Sequence, residues 1–201
     1  MSPAALLAGL LTAPPAPASL VDVAQALPDA VVQLRYAGDD NFLKRRLYPE
    51  RARCLLRRDA AEKLALAART LKAQGFRLLL YDCYRPPSIQ QEMWSAFPRR
   101  GYVADPARGG SVHGRGGAVD VGLVALDGSA VPLPTPHDFF GRAAWHGAAG
   151  IPPAAARNRE RLLAAMEAAG FKRNRMEWWH YEVLGSAQWP RVEVTLEAEP
   201  R

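Results

Sequence analysis

Nine residues, Phe-Arg-Leu-Leu-Leu-Tyr-Asp-Cys-Tyr at 76–84, constrain the fold of this 201-residue chain more than any other stretch. They are short, mostly apolar, and bounded by Gly75 on one side and Arg85-Pro86-Pro87 on the other. An apolar run of that length between breakers reads as a buried strand. The residues before it predict a helix: Leu64, Ala67, Ala68 and Leu71 share one face, Asp59 and Glu62 have capping-box spacing, and Gly75 supplies the stop. The residues after it predict a second helix, because prolines suit a first turn and Ile89, Met93, Trp94 and Phe97 provide a buried side. Arg85 therefore stands at a strand end, and the chain is long enough to bury one full core as one domain.

Other elements follow from period and punctuation. Residues 31–36 alternate apolar and polar, as a half-buried strand does, and run into a turn at 38–41. Pro152-Pro153 leads into a third helix carrying Arg161, Leu162, Met166 and Ala169 and closed by Gly170. Residues 179–184 are aromatic and branched enough for a strand, with Glu177 expected in a loop or bulge just before it. Residues 99–110 read as a loop, and 127–150 as a second, proline-marked one of the length that lids and binding loops have.

Charge and composition narrow the function. The formal net charge is +6, but the arginines are scattered rather than gathered, and no zinc finger, phosphate loop or aromatic RNA-binding signature accompanies them. They read as solvated faces, which excludes nucleic acid. No apolar run reaches the roughly 20 residues of a membrane span. Residues 1–18 form a signal-like or disordered segment: Ala4 to Leu11 is apolar and an Ala-Pro stretch follows, yet no Lys or Arg precedes it. The domain proper is expected over 19–201. Export is the preferred reading and the cytoplasm the alternative. Cys54 and Cys83 are too few for a disulfide framework and read as buried thiols, with a single bridge open to an exported chain.

The chemistry-bearing residues lie in two blocks. A catalytic zinc uses three protein ligands, drawn from imidazole and carboxylate, and leaves a fourth position to water. His113, Asp120 and His180 supply that set, since glycines between His113 and Asp120 allow a turn that brings the imidazole back beside a carboxylate at a strand start. Glu177, three residues before His180, is the nearby base such a site needs. Arg85 is the candidate to stabilise the negative charge that builds up on oxygen. Each has a plainer reading: Asp120 as a turn or cap, Glu177 as a surface charge, Arg85 as the partner of Asp82. His137 and His146, in the proline-marked loop, lack a well-spaced carboxylate and base and are read as bystanders. Ser111 and Cys83 have no motif that would make either a nucleophile.

Taken together, Tyr81-Asp82-Cys83-Tyr84-Arg85-Pro86, Ser111-x-His113-x-x-Gly116-x-Ala118-x-Asp120 and Glu177-Trp178-Trp179-His180-Tyr181 resemble the D-alanyl-D-alanine dipeptidases, over about residues 20–184. The wider group includes zinc D,D-carboxypeptidases, phage endolysin peptidases and the Hedgehog signalling domain. The resemblance implies a small α+β domain whose central antiparallel sheet carries one zinc ion, with helices packed around it. It implies His113, Asp120 and His180 as zinc ligands, Glu177 as general base and Arg85 as transition-state stabiliser. It further implies that Tyr36, Ser111 and Asp138 contact the ends of the substrate, Asp138 facing the free ammonium. The segment 132–140 departs from the family pattern, with prolines and His137 beside Asp138.

The expected activity is hydrolysis of D-Ala-D-Ala in peptidoglycan turnover or glycopeptide resistance, in a bacterial periplasm or envelope. The first alternative is a carboxypeptidase or endolysin-like peptidase acting on longer cell-wall peptides. The second, of another class, is a zinc-stabilised binding module without catalysis.

Overall fold

A computed structural model describes residues 19–197. The expected segment 1–18 and the last four residues lie outside the described residues. The element order is β1 (Leu20–Asp22), α1 (Val23–Ala26), β2 (Val31–Val32), β3 (Leu55–Arg57), α2 (Arg58–Ala73), β4 (Phe76–Asp82), α3 (Pro87–Ala96), β5 (Ala118–Ala125), α4 (Pro153–Ala168), β6 (Phe171–Asn174) and β7 (Glu177–Val183). Five strands form the main sheet in the order β2-β4-β5-β7-β6, and β1 pairs with β3 in a separate two-stranded sheet.

The α+β class holds, with one correction to the expected antiparallel sheet. β4, β5, β7 and β6 are antiparallel neighbours, but β2 lies parallel to β4 at the edge. A parallel neighbour needs a crossover, and the long 33–75 excursion through β3 and α2 provides one.

The run at 76–84 is the central strand predicted for it. β4 has neighbours on both sides, and Leu78 to Asp82 are all buried. Alternation on β5 sends Val119, Val121 and Leu123 to one face, where they join Leu78, Leu80, α2 (Leu64, Leu71) and α4 (Leu162, Met166) in the main core. Truncating one of these leucines to Ala would cost about 2–5 kcal/mol. The same alternation sends Asp120 and Gly122 to the other face. Gly122 is required there: a Cβ would lie 2.4 Å from the Tyr81 hydroxyl, so the neighbouring tyrosine occupies the space of its side chain.

Three local expectations change. The strand expected at 31–36 lasts only two residues; Arg35–Ala37 is a 3-10 turn, which keeps Tyr36 buried but re-aims it. The capping box is not formed, since α2 starts after Arg57 with no side-chain cap; Asp59 sits in the first turn and pairs with Lys63 at 3.4 Å. Cys54 and Cys83 are not free thiols but a disulfide, with Cα atoms 5.2 Å apart, joining the chain just before β3 to the chain just after β4. Among the described residues no helix is long and apolar enough to cross a membrane.

Candidate active site

The predicted residues reach one place by different routes. His113 lies in a 3-10 turn, Val112–Arg115, whose entry is capped by Ser111: its Oγ accepts the His113 backbone N–H at 3.2 Å. The turn stops at Gly116, whose φ of 67° is left-handed and whose Cβ would meet Leu20 at 2.7 Å. The chain then enters β5, and Asp120 becomes the direct cross-strand partner of His180 on β7. Direct partners in an antiparallel pair share a face, so carboxylate and imidazole meet.

Hydrogen bonding then orients both rings. His113 Nδ1 lies 2.6 Å from the Cys83 carbonyl, which can only accept, so Nδ1 carries the proton and Nε2 presents a lone pair. His180 Nε2 lies 3.3 Å from Glu182 Oε1, whose other oxygen takes Lys172 Nζ at 2.9 Å; this leaves Nδ1 as the lone pair. The two free nitrogens are 3.2 Å apart, and Asp120 Oδ1 is 3.3 Å from the first and 2.9 Å from the second. Three electron-pair donors that close repel one another unless a cation lies among them. Ligands at zinc-typical bond lengths of about 2.0–2.1 Å stand about 3.3 Å apart in a tetrahedron, so the donor set fits zinc.

The charge pattern is consistent with this. Although burial opposes ionisation, His113 and hydrogen bonds from His113, His137 and His180 hold the Asp120 carboxyl well below its usual range. For His180, burial favours the neutral ring, but hydrogen bonds to Asp120 and Glu182 reverse this and lift its pKa to about 10.

Glu177 is the first residue of β7, not a loop residue, but the expected irregularity is there. The β6–β7 ladder passes from Arg173↔Tyr181 directly to Asn174↔Glu177, leaving residues 178–180 as a bulge. Asn174 fixes the carboxylate: its Oδ1 accepts the Met176 N–H at 3.0 Å, so its Nδ2 necessarily donates to Glu177 Oε2, at 2.7 Å. Glu177 is 6 % exposed, and burial pushes its pKa up to about 7. It is not a surface charge.

Arg85 is the partner of Asp82, as its plainer reading has it, and it also borders the ligand cluster. Its Nε and Nη2 donate to Asp82 Oδ2 at 3.0 and 2.7 Å and its Nη1 to Gln90 at 2.8 Å, yet Nη2 also lies 3.9 Å from Asp120 Oδ2. Asp82, with no exposure, also accepts from the Tyr48 hydroxyl and the Cys83 N–H. Across the site the Tyr36 hydroxyl donates to Asp138 Oδ1 at 3.1 Å and the Phe42 N–H to Oδ2 at 3.3 Å. Asp138 adopts a left-handed φ of 61°, a strained conformation for a non-glycine residue. All eight predicted site residues line one cavity of about 250 Å³.

One sequence reading is corrected here. His137 is no bystander: its Nε2 is 3.2 Å from Asp120 Oδ2 and its side chain is 3 % exposed. Asn174, Glu182 and Asp82 also went unrecognised as site residues; the carboxylates two residues after His180 and three before Arg85 were the available signals. His146 stays outside the site, its ring against Tyr181.

The chain matches the family model described as D-Ala-D-Ala dipeptidase over residues 16–196. It is 37 % identical to a D-alanyl-D-alanine dipeptidase of Escherichia coli K12, over 85 % of this chain and 88 % of that one. It is 36 % identical to a D-alanyl-D-alanine dipeptidase of Enterococcus faecium, over 66 % of this chain and 74 % of that one. A solved structure of the vancomycin resistance D,D-pentapeptidase VanY in complex with Zn(II) aligns at a TM-score of 0.42 and 19 % identity, over 66 % of this chain and 74 % of that one. With the family model spanning nearly all of its described residues, the chain belongs to the D-Ala-D-Ala dipeptidase family of metallopeptidases.

Proposed function

We propose that this chain hydrolyses D-Ala-D-Ala to two D-alanines, with His113, Asp120 and His180 as ligands of one zinc ion and Glu177 as general base. The observation that carries the reading is the convergence of three oriented lone pairs beside a buried carboxylate whose pKa is about 7. When bound, zinc supplies Lewis acidity, polarising the scissile carbonyl and making water acidic enough to ionise near neutral pH.

The protein's own groups do the rest. Glu177, held by Asn174, takes a proton from the attacking water as the C–O bond forms. It returns that proton to the amide nitrogen as the C–N bond breaks, and the second water proton passes from the hydroxyl on carbon to the amine, so that the products leave as a carboxylate and an ammonium. The Arg85 guanidinium, kept charged and immobile by Asp82 and Gln90, offsets the negative charge on the carbonyl oxygen. Asp138, anchored by Tyr36 and Phe42, receives the substrate ammonium, and Ser111 lies at the cavity wall for the other end.

The cavity, at about 250 Å³, lies below the roughly 300–1,000 Å³ of sites for larger ligands, which supports a dipeptide over a longer peptide stem. Purified protein, with and without chelator, is to be given D-Ala-D-Ala and a stem pentapeptide. The proposal expects chelator-sensitive release of D-alanine from the dipeptide and none from the pentapeptide. Cleavage of the pentapeptide would establish the carboxypeptidase reading, and zinc-loaded protein inert on both would establish a binding module. Peptidoglycan turnover and glycopeptide resistance are the two roles that fit this activity.

A further inference from the structure

Asp120 turns its two oxygens to different tasks. Oδ1 faces the His113 and His180 nitrogens, while Oδ2 points away towards His137 Nε2 at 3.2 Å. A carboxylate only accepts, so Nε2 carries hydrogen and donates. Among the described residues this is the one hydrogen bond that Oδ2 receives; Arg85 Nη2 is farther off at 3.9 Å. The imidazole cannot turn away, because Tyr81, Trp179 and Tyr36 surround it with ring centroids at 5.0, 5.3 and 6.0 Å.

His137 also carries a cost that a packing residue would avoid. Its Nδ1 is buried with no hydrogen-bond partner, 3.5 Å from Asp138 Oδ2. A phenyl ring would fill the same aromatic cage without burying a polar atom that makes no hydrogen bond. What a phenyl ring could not do is donate to Asp120.

We propose that His137 is a positioning residue of the metal centre: by holding Oδ2 of Asp120 it keeps Oδ1 turned to the ion and raises the affinity for it. This rests on the reading of His113, Asp120 and His180 as ligands. Partners that orient a ligand from behind are typically worth about 10–100-fold in metal affinity.

The test is equilibrium zinc affinity, measured by competition with a chromogenic chelator, for the wild type and for His137→Phe, His137→Gln and His137→Asn. The unfolding midpoint of each metal-free protein is recorded alongside. H137F keeps the ring packing and is expected to bind zinc about 10–100-fold more weakly. H137Q, whose amide nitrogen reaches the place of Nε2, is expected to recover most of that loss. H137N, polar but too short, is expected to bind as weakly as H137F and replaces it should the phenylalanine protein not fold. H137F or H137N binding as tightly as the wild type, or H137Q as weak as the other two, overturns the inference alone. A wild type that takes up no zinc overturns the ligand reading, and this inference with it.

Discussion

The two walls of the cavity are built on different principles. The ligand wall stands on regular structure: Asp120 and His180 are paired residues of adjacent strands, and His113 is a short capped turn away from β5. The opposite wall, where the proposal seats the substrate ends, stands on loops: Tyr36 in a 3-10 turn, Asp138 at a left-handed φ in the stretch between β5 and α4, each holding the other through one hydrogen bond. The strand register places the ligands wherever the sheet forms at all. The loop wall depends on mutual contacts, and it can change sequence without disturbing the sheet. Under the proposed function, chemistry falls to the rigid wall and discrimination between substrates to the adaptable one.

That division predicts graded effects. Glu177→Ala is expected to lower kcat by about 10²–10⁴-fold while zinc content, measured by metal analysis, stays at the wild-type level; substantial turnover by the zinc-loaded variant would remove Glu177 from its role. Arg85→Met is expected to cost about 10²–10³-fold, mainly in kcat. Some stability should go with it, since Asp82 would be left as a buried charge without its cation. Asp138→Asn is expected to raise KM for the dipeptide by about 10–100-fold, with kcat nearer to wild type. A variant whose defect lay in kcat alone would place Asp138 on the chemical side of the cavity and end the contrast drawn above.

The smallest effect is a displacement along the pH axis. Glu177 must be ionised to accept a proton, and burial holds its pKa up to about 7 in the metal-free protein, above an ordinary value of 4.5. A cation at the ligands stabilises the carboxylate and lowers that value. Activity is therefore lost as pH falls, with the acid limb of kcat/KM centred between about 4.5 and about 7. Asn174→Ala, which removes a hydrogen bond to the ionised form, should move the limb upward.

Much of the ligand wall was legible in the amino-acid order, and less of the other. The apolar run at 76–84, the glycines around His113 and the Glu-x-x-His pair each carry a local physical meaning that survives folding. His137 carries none: its partner Asp120 is 17 residues away, and the two meet only because the proline-marked loop folds back over the sheet. Tyr36 misled for a different reason. Residues 31–36 have the period of a strand, but ladder pairing with β4 ends after β2, apart from a last bond from the Gln33 N–H to the Leu80 carbonyl. Alternation records which side chains are buried and not how far a neighbour continues.

The Cys54–Cys83 link gives the rigid wall a dependence on its surroundings. The carbonyl that sets the His113 tautomer belongs to one of the two bridged residues, so a covalent bond formed outside the ligand set helps to seat the imidazole. A chain kept under thiol reductants would hold the Cys83 carbonyl, and with it the His113 ring, on a less firmly anchored strand end. Bridge and imidazole are thus linked through one backbone carbonyl, so opening the bridge would be felt first at His113 rather than at Asp120 and His180, which the β5–β7 pairing holds.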